Sequence, residues 1–239
     1  MLCGMQGVLL IDKPKGWTSF DVVNYTRKAV AHAEGKRPKQ CKVGHTGTLD
    51  PMATGLLVVL VGKEYTRQAA SLMKLDKTYE LTMCLGARST TGDAEGELTA
   101  VSTRVPTLSE IAVALEKHTG VLQQVPPAFS AIKIGGRRAY DLARAGKPVV
   151  LAPRSVTVHR LELISYAYPH VQCVAEVSSG TYIRSLAEDI GAALGTGAYL
   201  TALRRTRVGQ FLLTDAAQLE QADLLSYVNE RGKLSYPLC

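Results

Sequence analysis

The apolar positions of the chain predict both strands and helices. The segment GVLLIDKP (7–14), through its apolar run VLLI, and the apolar segment LLVVLVG (56–62) predict short buried strands, whereas KTYELTMCLG (77–86) alternates and is typical of a half-buried strand. SVTVHRLELISY (155–166) and VQCVAEVSS (171–179) predict a strand pair. The segment ARSTTGDAEGE (87–97) is polar and predicts a loop.

Between and after these strands, helical periodicity and capping residues predict helices. Thr18 and Asp21 form a capping-box pattern before a helix over about 19–32, and Thr107 and Glu110 do the same before a helix that ends near His118. Further helices are predicted over 64–75, over 181–195 after Gly180, and over 214–228. The predicted strands are more numerous than a doubly wound α/β fold needs. The pattern therefore favours an α+β fold with a mixed, largely antiparallel sheet.

Residues 121–153 interrupt this periodicity. They contain Pro126-Pro127, Gly135-Gly136 and one short helical piece that ends at Gly146. Segments of this length outside regular structure are usually functional arms or lids, which predicts a long excursion from the core.

Composition adds a charge pattern to this picture. The 239 residues carry a net charge of +7, with 46% hydrophobic and 21% charged residues, as is typical of a globular protein. The basic residues gather in three blocks, at 24–42, at 130–160 and at Arg204, Arg205 and Arg207. Gathered cations predict a surface that faces a polyanion, although solvated loop charges are the alternative.

Targeting and metal signals are weak. The longest apolar run, 55–61, is too short to span a membrane, and the N-terminus lacks the pattern of a secretory signal, so a cytoplasmic location is expected. The five cysteines are scattered without C-x-x-C spacing, which predicts reduced thiols, and no metal site is expected at them or at His45.

The stretch GHTGTLDPMATGLL (44–57) holds the strongest candidate for chemistry. Asp50 is its only carboxylate, and glycines on both sides leave room for another molecule to approach. Either Asp50 caps the next turn, or it is a nucleophile or general base.

Two further segments carry candidate side chains. Tyr182 and Arg184 lie near the start of the helix predicted after Gly180, where a guanidinium could hold a carboxylate in position; a solvated surface arginine is the alternative. Tyr79 shares a strand face with Leu81 and Met83, so it is either a core residue or a ring that stacks on a planar ligand.

Four motifs together resemble the TruB family of tRNA pseudouridine-55 synthases over about 7–211. They are GVLLIDKPKGWTSFDVV, KVGHTGTLDPMATGLLVV, QVPPAFSAIKIGGRRAYDLAR, and SSGTYIRSLAEDIG followed by YLTALRRTRVGQF. The resemblance implies a pseudouridine synthase fold with a central sheet, flanking helices and a protruding thumb loop at about 121–153. It also implies that a T-loop uridine of tRNA is isomerised without a cofactor.

The resemblance assigns roles by matching position. Asp50 is the nucleophile, Arg184 its ion-pair partner, and Tyr79 the ring that stacks on the base and serves in removing the C5 proton. His45 fills space near the vacated stack, while Tyr182 and Leu203 line the uracil pocket. Lys13 is assigned to structure or phosphate contact. The thumb is expected to grip RNA through its basic residues, Lys133, Arg137, Arg138, Arg144 and Lys147.

The resemblance also bears on domains and partners. It implies a catalytic domain over 1–212 and a short helical tail over 213–239, without the PUA-type RNA-binding domain that many relatives carry. The T-arm of tRNA is the expected partner, with no membrane, no obligatory protein partner and a monomeric state. A non-catalytic tRNA chaperone and a dyskerin-like, guide-RNA-dependent synthase are the alternative functions. Attack at uracil C6 and attack at ribose C1′ both stay open.

Overall fold

The computed structural model describes residues 5–219, and these divide between two compact units. Of the described residues, 5–79 and 204–219 form the first unit, and 80–203 form the second. The helices are α1 (Ser19–Ala33), α2 (Lys63–Thr66), α3 (Ala69–Leu72), α4 (Leu108–Lys117), α5 (Ala139–Arg144) and α6 (Ile183–Ala193). The predicted catalytic domain, 1–212, thus contains parts of both units.

Fourteen strands are assigned within the described residues. They are β1 (Gly7–Lys13), β2 (Val43–His45), β3 (Thr54–Val61), β4 (Lys77–Leu85), β5 (Ala87–Ser89), β6 (Leu98–Ala100), β7 (Gly120–Gln124), β8 (Lys133–Ile134), β9 (Arg137–Arg138), β10 (Arg154–Ala167), β11 (His170–Val177), β12 (Ala198–Val208), β13 (Phe211–Leu212) and β14 (Ala217–Gln218). Ten of them belong to a mixed sheet flanked by helices, which confirms the predicted α+β class.

The first unit is built around β1 and β3, which pair antiparallel along their whole length, from Gly7 opposite Val61 to Lys13 opposite Gly55. β14 pairs with β1 in parallel, β2 pairs with β3 antiparallel, and the end of β12 pairs with β3 in parallel. Both strands are buried on both faces, as their continuous apolar runs predict. Their side chains pack in one core with those of Leu72, Val208 and Phe211.

The second unit contains the antiparallel ladder of β7, β10 and β11. α4 contacts β10 and α6, and it begins at the predicted capping box of Thr107 and Glu110. In α6 most side chains of the first two turns are buried, including Ile183, Leu186 and Ile190. The predicted capping box of α1, in the first unit, is present as well.

Four predicted elements were wrong in extent. The helix expected over 64–75 is two four-residue helices, α2 and α3. The Thr66 hydroxyl bonds to the carbonyls of Gly62 and Lys63 within α2, and the backbone bond from Gln68 to Tyr65 is of the tighter i to i+3 kind. The loop expected over 87–97 begins with β5, whose partner β6 starts only at residue 98.

The other two corrections concern the excursion and the tail. Residues 120–124 form β7 within the mixed sheet, so the excursion occupies 125–153. The tail helix expected over 214–228 does not begin at 214, because residues 213–215 form a 3-10 turn and 217–218 pair with β1. The remainder of the tail, and with it the expectation about a PUA-type domain, lies outside the described residues.

Candidate active site

The backbone on both sides of Asp50 is fixed by the start of α1. Asp50 is half-buried in the turn between β2 and β3. The buried Ser19 hydroxyl accepts a hydrogen bond from the Leu49 N–H at 2.8 Å and donates to the Leu49 carbonyl at 3.2 Å. On the other side, the Pro51 carbonyl accepts from the Gly16 N–H at 2.8 Å. The carboxylate is therefore carried by a turn with little backbone freedom.

Lys13 supports the same turn from β1. Its side chain is fully buried, and its ammonium donates to the carbonyls of Trp17 at 2.6 Å, Pro14 at 3.0 Å and Pro51 at 3.4 Å. Three carbonyl oxygens satisfy the three donors of an ammonium group. Lys13 acts here in structure, one of the two roles that the sequence left open for it.

A second buried cation, Arg205 of β12, holds the beginning of the turn. Its guanidinium donates to the Leu56 carbonyl at 2.8 Å and to the Gly47 carbonyl at 3.1 Å, and the side chain is 1% exposed. The backbone of Arg205 lies against Gly55, whose φ is +99°. A Cβ at Gly55 would lie 2.3 Å from the Arg205 carbonyl oxygen, so only glycine fits there.

Lys77 is a third cation in this region. Its ammonium donates to the carbonyls of Met73, at 2.7 Å, and Leu75. The pKa of Lys77 is lowered to about 8, mainly by burial and also by nearby Arg205, while Asp76 acts in the opposite direction. Lys77 lies two residues before Tyr79 on β4, so this buried charge belongs to the strand that carries the predicted stacking ring.

Tyr79 lies on a strand, as predicted, whereas His45 ends a strand and does not lie in the tight turn expected for it. Tyr79 is 8% exposed and shares the buried face of β4 with Leu81 and Met83. His45 is the last residue of β2 and is half-buried, opposite Val59 of β3. Both belong to the first unit with Asp50.

Arg184 is the centre of a buried polar cluster in the second unit. Its guanidinium donates to the carbonyls of Thr91 and Phe129, each at 2.8 Å, and its Nε lies 3.8 Å from a carboxylate oxygen of Asp93. The side chains of Arg184 and Asp93 are each 5% exposed. Asp93 also accepts from the Thr91 hydroxyl at 2.5 Å and from the Glu95 N–H at 3.1 Å.

The turn that carries Asp93 fits closely against α6. A Cβ at Gly92 would lie 3.1 Å from a carboxylate oxygen of Glu188 and 3.2 Å from the Arg184 Cβ. Burial raises the pKa of Glu188, and Asp189 raises it further, whereas Arg184 and Arg88 lower it. The cluster therefore holds both signs of charge out of solvent, which requires that its members keep their hydrogen bonds.

The first turn of α6 also holds the start of the excursion. Ser185 donates to the Val125 carbonyl at 2.9 Å, and Arg184 reaches Phe129 as described above. The excursion then forms the β8–β9 hairpin and α5. Its five predicted RNA-binding cations, Lys133, Arg137, Arg138, Arg144 and Lys147, are all exposed.

The predicted site residues thus fall into two groups. Asp50, His45 and Tyr79 lie in the first unit, and Tyr182, Arg184 and the buried Leu203 lie in the second. The pairing of Arg184 with Asp50 stays a prediction. Sequence reasoning missed Asp93, Gln124 and Arg205; the lone carboxylate of the TTGD turn was the available signal for Asp93.

The described part of the chain contains neither a group of side chains that could hold a metal ion nor a helix that could cross a membrane. Residues 5–219 contain no group of three histidine, cysteine or acidic side chains that could hold a metal ion. None of the helices assigned there has the length and apolarity needed to cross a bilayer. Cys41, Cys84 and Cys173 are free thiols, as predicted for these three.

Comparison with known proteins identifies the class. The sequence profile described as TruB family pseudouridylate synthase (N terminal domain) matches residues 35–183, and that of the tRNA pseudouridylate synthase B C-terminal domain matches residues 184–235. The protein is therefore a pseudouridylate synthase by class. The chain belongs to the TruB family.

Individual relatives agree with this assignment. The chain is 47% identical to tRNA pseudouridine synthase B of Arthrobacter sp. (strain FB24), covering 91% of this chain and 70% of that protein. It is 49% identical to the protein of the same name from Thermobifida fusca (strain YX), covering 90% and 73%. Among solved structures, one described as a Cbf5-Nop10-Gar1 complex matches with a TM-score of 0.69 and 30% identity. The match covers 94% of this chain, which spans about half, 54%, of that solved chain.

Proposed function

We propose that this protein isomerises uridine-55 in the T-loop of tRNA to pseudouridine, without a cofactor. We further propose that it acts in the cytoplasm as a monomer that needs no protein partner. The observation that carries the proposal is the Asp50 turn, a half-buried carboxylate on a backbone fixed by Lys13, Ser19 and Arg205. It occurs in a chain 49% identical to a tRNA pseudouridine synthase B.

The proposed reaction exchanges one bond of the uracil for another. The bond from ribose C1′ to N1 breaks, the uracil turns while it is held in the site, and C1′ bonds to C5. The C5 proton is lost and N1 gains a proton, so the product is an isomer of the substrate. The Asp50 carboxylate attacks either ribose C1′, where it displaces N1 and is itself displaced when C5 bonds to C1′, or uracil C6, from which it is eliminated after C1′ has bonded to C5. Either route divides one difficult step into two and returns the free carboxylate.

The other candidate residues fit steps that this chemistry requires. The nucleotide must leave the stack, which costs a few kcal/mol, and an aromatic ring such as Tyr79 returns about 1–3 kcal/mol by stacking on the base. In this proposal Tyr79 takes part in removing the C5 proton, and Arg184 orients Asp50. His45 fills the space that the base vacates in the stack. Tyr182 and Leu203 are assigned to the walls of the uracil pocket.

The excursion is the proposed thumb. Its five exposed cations, Lys133, Arg137, Arg138, Arg144 and Lys147, would neutralise phosphates of the T-arm. Two of them, Arg138 and Arg144, also lie 5.9 and 5.7 Å from the ring centroid of Tyr140. These cation–π contacts support a shared orientation for the two guanidinium groups.

The experiment that tests the function compares wild type with Asp50→Asn on a T-arm hairpin, followed by nucleoside analysis. Wild type is expected to form pseudouridine. Asp50→Asn is expected to form none, although its RNA affinity stays within a few fold because the residue serves chemistry. Thr48→Ala, at an exposed position of the same turn, is the matched control and should stay active.

Two outcomes would reject the proposal. Full turnover by Asp50→Asn would remove the nucleophile assignment. Tight RNA binding by a wild-type protein that forms no pseudouridine would favour the non-catalytic chaperone instead.

A further inference from the structure

Helix α1 exposes aromatic side chains, which surface helices rarely do. Phe20 is 59% exposed and Tyr25 is 38% exposed. Trp17, just before the helix, meets Tyr25 edge to face, with ring centroids 6.1 Å apart and planes at 75°. The Arg27 guanidinium lies 5.9 Å from the Phe20 ring centroid. An aromatic pair and a separate ring beside a cation, all within residues 17–27, indicate an interaction surface rather than apolar residues scattered singly.

The chain from just before α1 to the start of β2 is strongly basic, and most of its cations have no acidic partner among the described residues. Residues 15–42 contain seven lysines and arginines but only two acidic residues, Asp21 and Glu34. Asp21 is engaged by Thr18 in the capping box, and Glu34 pairs with Lys36 at 2.8 Å. Five other cations are exposed, and no salt bridge joins them to any carboxylate of residues 5–219; they are Lys15, Lys28, Arg37, Lys39 and Lys42.

We propose that these residues form a second RNA-binding surface, separate in sequence from the thumb. We call it the α1 face and define it as Trp17, Phe20, Tyr25, Lys28, Arg37, Lys39 and Lys42. It takes the phosphate backbone of the RNA substrate together with one unpaired base. This inference rests on the proposed function, because it assigns the face to the same substrate.

The chemistry of the face selects RNA among possible occupants. Cations without carboxylate partners attract phosphates, and an exposed ring beside them gives a base a surface to stack on. Unpaired bases held on aromatic or guanidinium planes are the usual form of RNA recognition. A second copy of this face would bring the same positive charge into contact with itself, which opposes self-association.

The backbone that carries the α1 face is also hydrogen-bonded to the Asp50 turn. Trp17 supplies the carbonyl that accepts from Lys13, which in turn reaches Pro51. Ser19, which clamps Leu49 through two hydrogen bonds, immediately precedes Phe20. RNA bound along α1 would therefore lie next to the element that fixes the catalytic turn.

The charge of the face is tested with the triple variant Lys28→Ala/Arg37→Ala/Lys39→Ala. Its matched control is Lys74→Ala/Lys117→Ala/Arg160→Ala, which removes the same charge at exposed positions elsewhere. We expect the α1-face variant to lose about tenfold or more in affinity for tRNA near 100 mM salt. The slope of log affinity against log salt should fall by about two to three, since each phosphate contact contributes about one. The control should stay within about twofold of wild type, as expected when no phosphate contact is lost.

The aromatic part is tested with Phe20→Ala against Val113→Ala, an exposed apolar position in α4. Loss of one stacked base, about 1–3 kcal/mol, corresponds to roughly a fivefold to hundredfold lower affinity for Phe20→Ala. Trp17 is the only tryptophan of the chain, so its emission reports directly on this face when RNA is added. Thermal melting by circular dichroism verifies that each variant is folded.

The outcomes separate this inference from the proposed function. Absence of pseudouridine with wild type would reject the function. If wild type forms pseudouridine while the triple variant keeps wild-type affinity and salt slope, the α1 face does not bind RNA. Sedimentation velocity tests whether the face instead binds a second copy. If wild type self-associates and Phe20→Ala does not, while their RNA affinities are equal, the face binds a second copy and the inference is overturned.

Discussion

The Gln124 side chain hydrogen-bonds both backbone groups of Tyr182. Its amide nitrogen donates to the Tyr182 carbonyl at 3.0 Å, and its amide oxygen accepts from the Tyr182 N–H at 2.8 Å. Gln124 is the last residue of β7 and is 2% exposed, whereas Tyr182 is the N-cap residue of α6. A single side chain from the sheet thus fixes the start of the helix that carries Arg184.

Replacing Gln124 by glutamate should weaken this link. Gln124→Glu keeps the shape and the acceptor for the Tyr182 N–H, but it removes the donor and places a second oxygen against the Tyr182 carbonyl. A buried group left without its hydrogen bond costs about 1–3 kcal/mol, so the free energy of unfolding should fall by about that amount. Urea denaturation at neutral pH measures this change.

The neighbouring glutamine provides the control for that experiment. Gln123 is exposed on the same strand, so Gln123→Glu makes the same chemical change where water can solvate it. We expect its stability to stay within about 0.5 kcal/mol of wild type. Equal losses in the two variants would show that the Tyr182 contact does not support the helix.

Asp93→Asn tests whether the negative charge beside Arg184 matters. The substitution keeps the volume of the side chain and one acceptor for Thr91 and Glu95, but it removes the negative charge that lies 3.8 Å from the buried guanidinium. If Arg184 orients Asp50, a less well-held guanidinium should lower kcat by about tenfold or more, because a misplaced positioning group costs that much or more in rate.

The measurement is single-turnover pseudouridine formation at saturating RNA, with Glu95→Gln as the control in the same turn. Glu95 is exposed, so its substitution changes the net charge equally without touching Arg184. An unchanged rate for Asp93→Asn would contradict a catalytic contribution of this ion pair.

Much of the fold could be predicted because local signals were strong. β1 and β3 contain uninterrupted apolar runs (8–11 and 56–61), β4 alternates, and α1 and α4 begin at capping boxes, so each signal lies within the element itself. β7 and β14 could not be found in this way. Each is a short segment that becomes a strand only through its partner, β10 for β7 and β1 for β14.

In the candidate site, too, some residues have a local sequence signal and others do not. Asp50 stands out because it is the only carboxylate among glycines, and Arg184 because it follows a glycine at a helix start. The residues that support them do not stand out: Arg205 reaches Gly47 across 158 positions of sequence, and Gln124 reaches Tyr182 across 58. Contacts over such separations depend on the finished fold and leave no local pattern.

Gly55→Ala should be far more destabilising than an ordinary glycine substitution. The left-handed backbone alone costs alanine about 1–2 kcal/mol, and here the new Cβ would also lie 2.3 Å from the Arg205 carbonyl oxygen. β3 and β12 would have to separate directly after the Asp50 turn, so we expect both stability and activity to be lost. The yield of folded protein and its melting temperature measure the effect.

Gly16→Ala distinguishes the cost of backbone strain from the cost of a clash at the new Cβ, both of which Gly55→Ala would incur. Gly16 has a φ of +84°, near the +99° of Gly55, but no atom lies within 4 Å of its potential Cβ. Its substitution should therefore cost only the backbone term of about 1–2 kcal/mol. Similar losses at the two positions would mean that Gly55 is required for its conformation and not for the approach of β12.

Lys77 predicts a dependence of stability on pH. Its pKa falls from 10.5 to about 8 because the folded protein buries it, with Arg205 nearby. Between these values the unfolded chain keeps a proton that the folded protein has released, so the unfolded state binds more protons. The free energy of unfolding should therefore rise as the pH increases from about 8 to about 10.5.

Lys77→Met isolates this contribution, because methionine cannot titrate and other groups cancel in the difference from wild type. At 1.36 kcal/mol per pKa unit, the stability of wild type relative to the variant should increase across the window by at most about 3 kcal/mol. Urea denaturation at several pH values from 7 to 10.5 measures it. Lys74→Met, at an exposed position, should give a flat difference. A flat difference for Lys77→Met as well would show that Lys77 keeps its ordinary pKa, and that burial beside Arg205 does not perturb it.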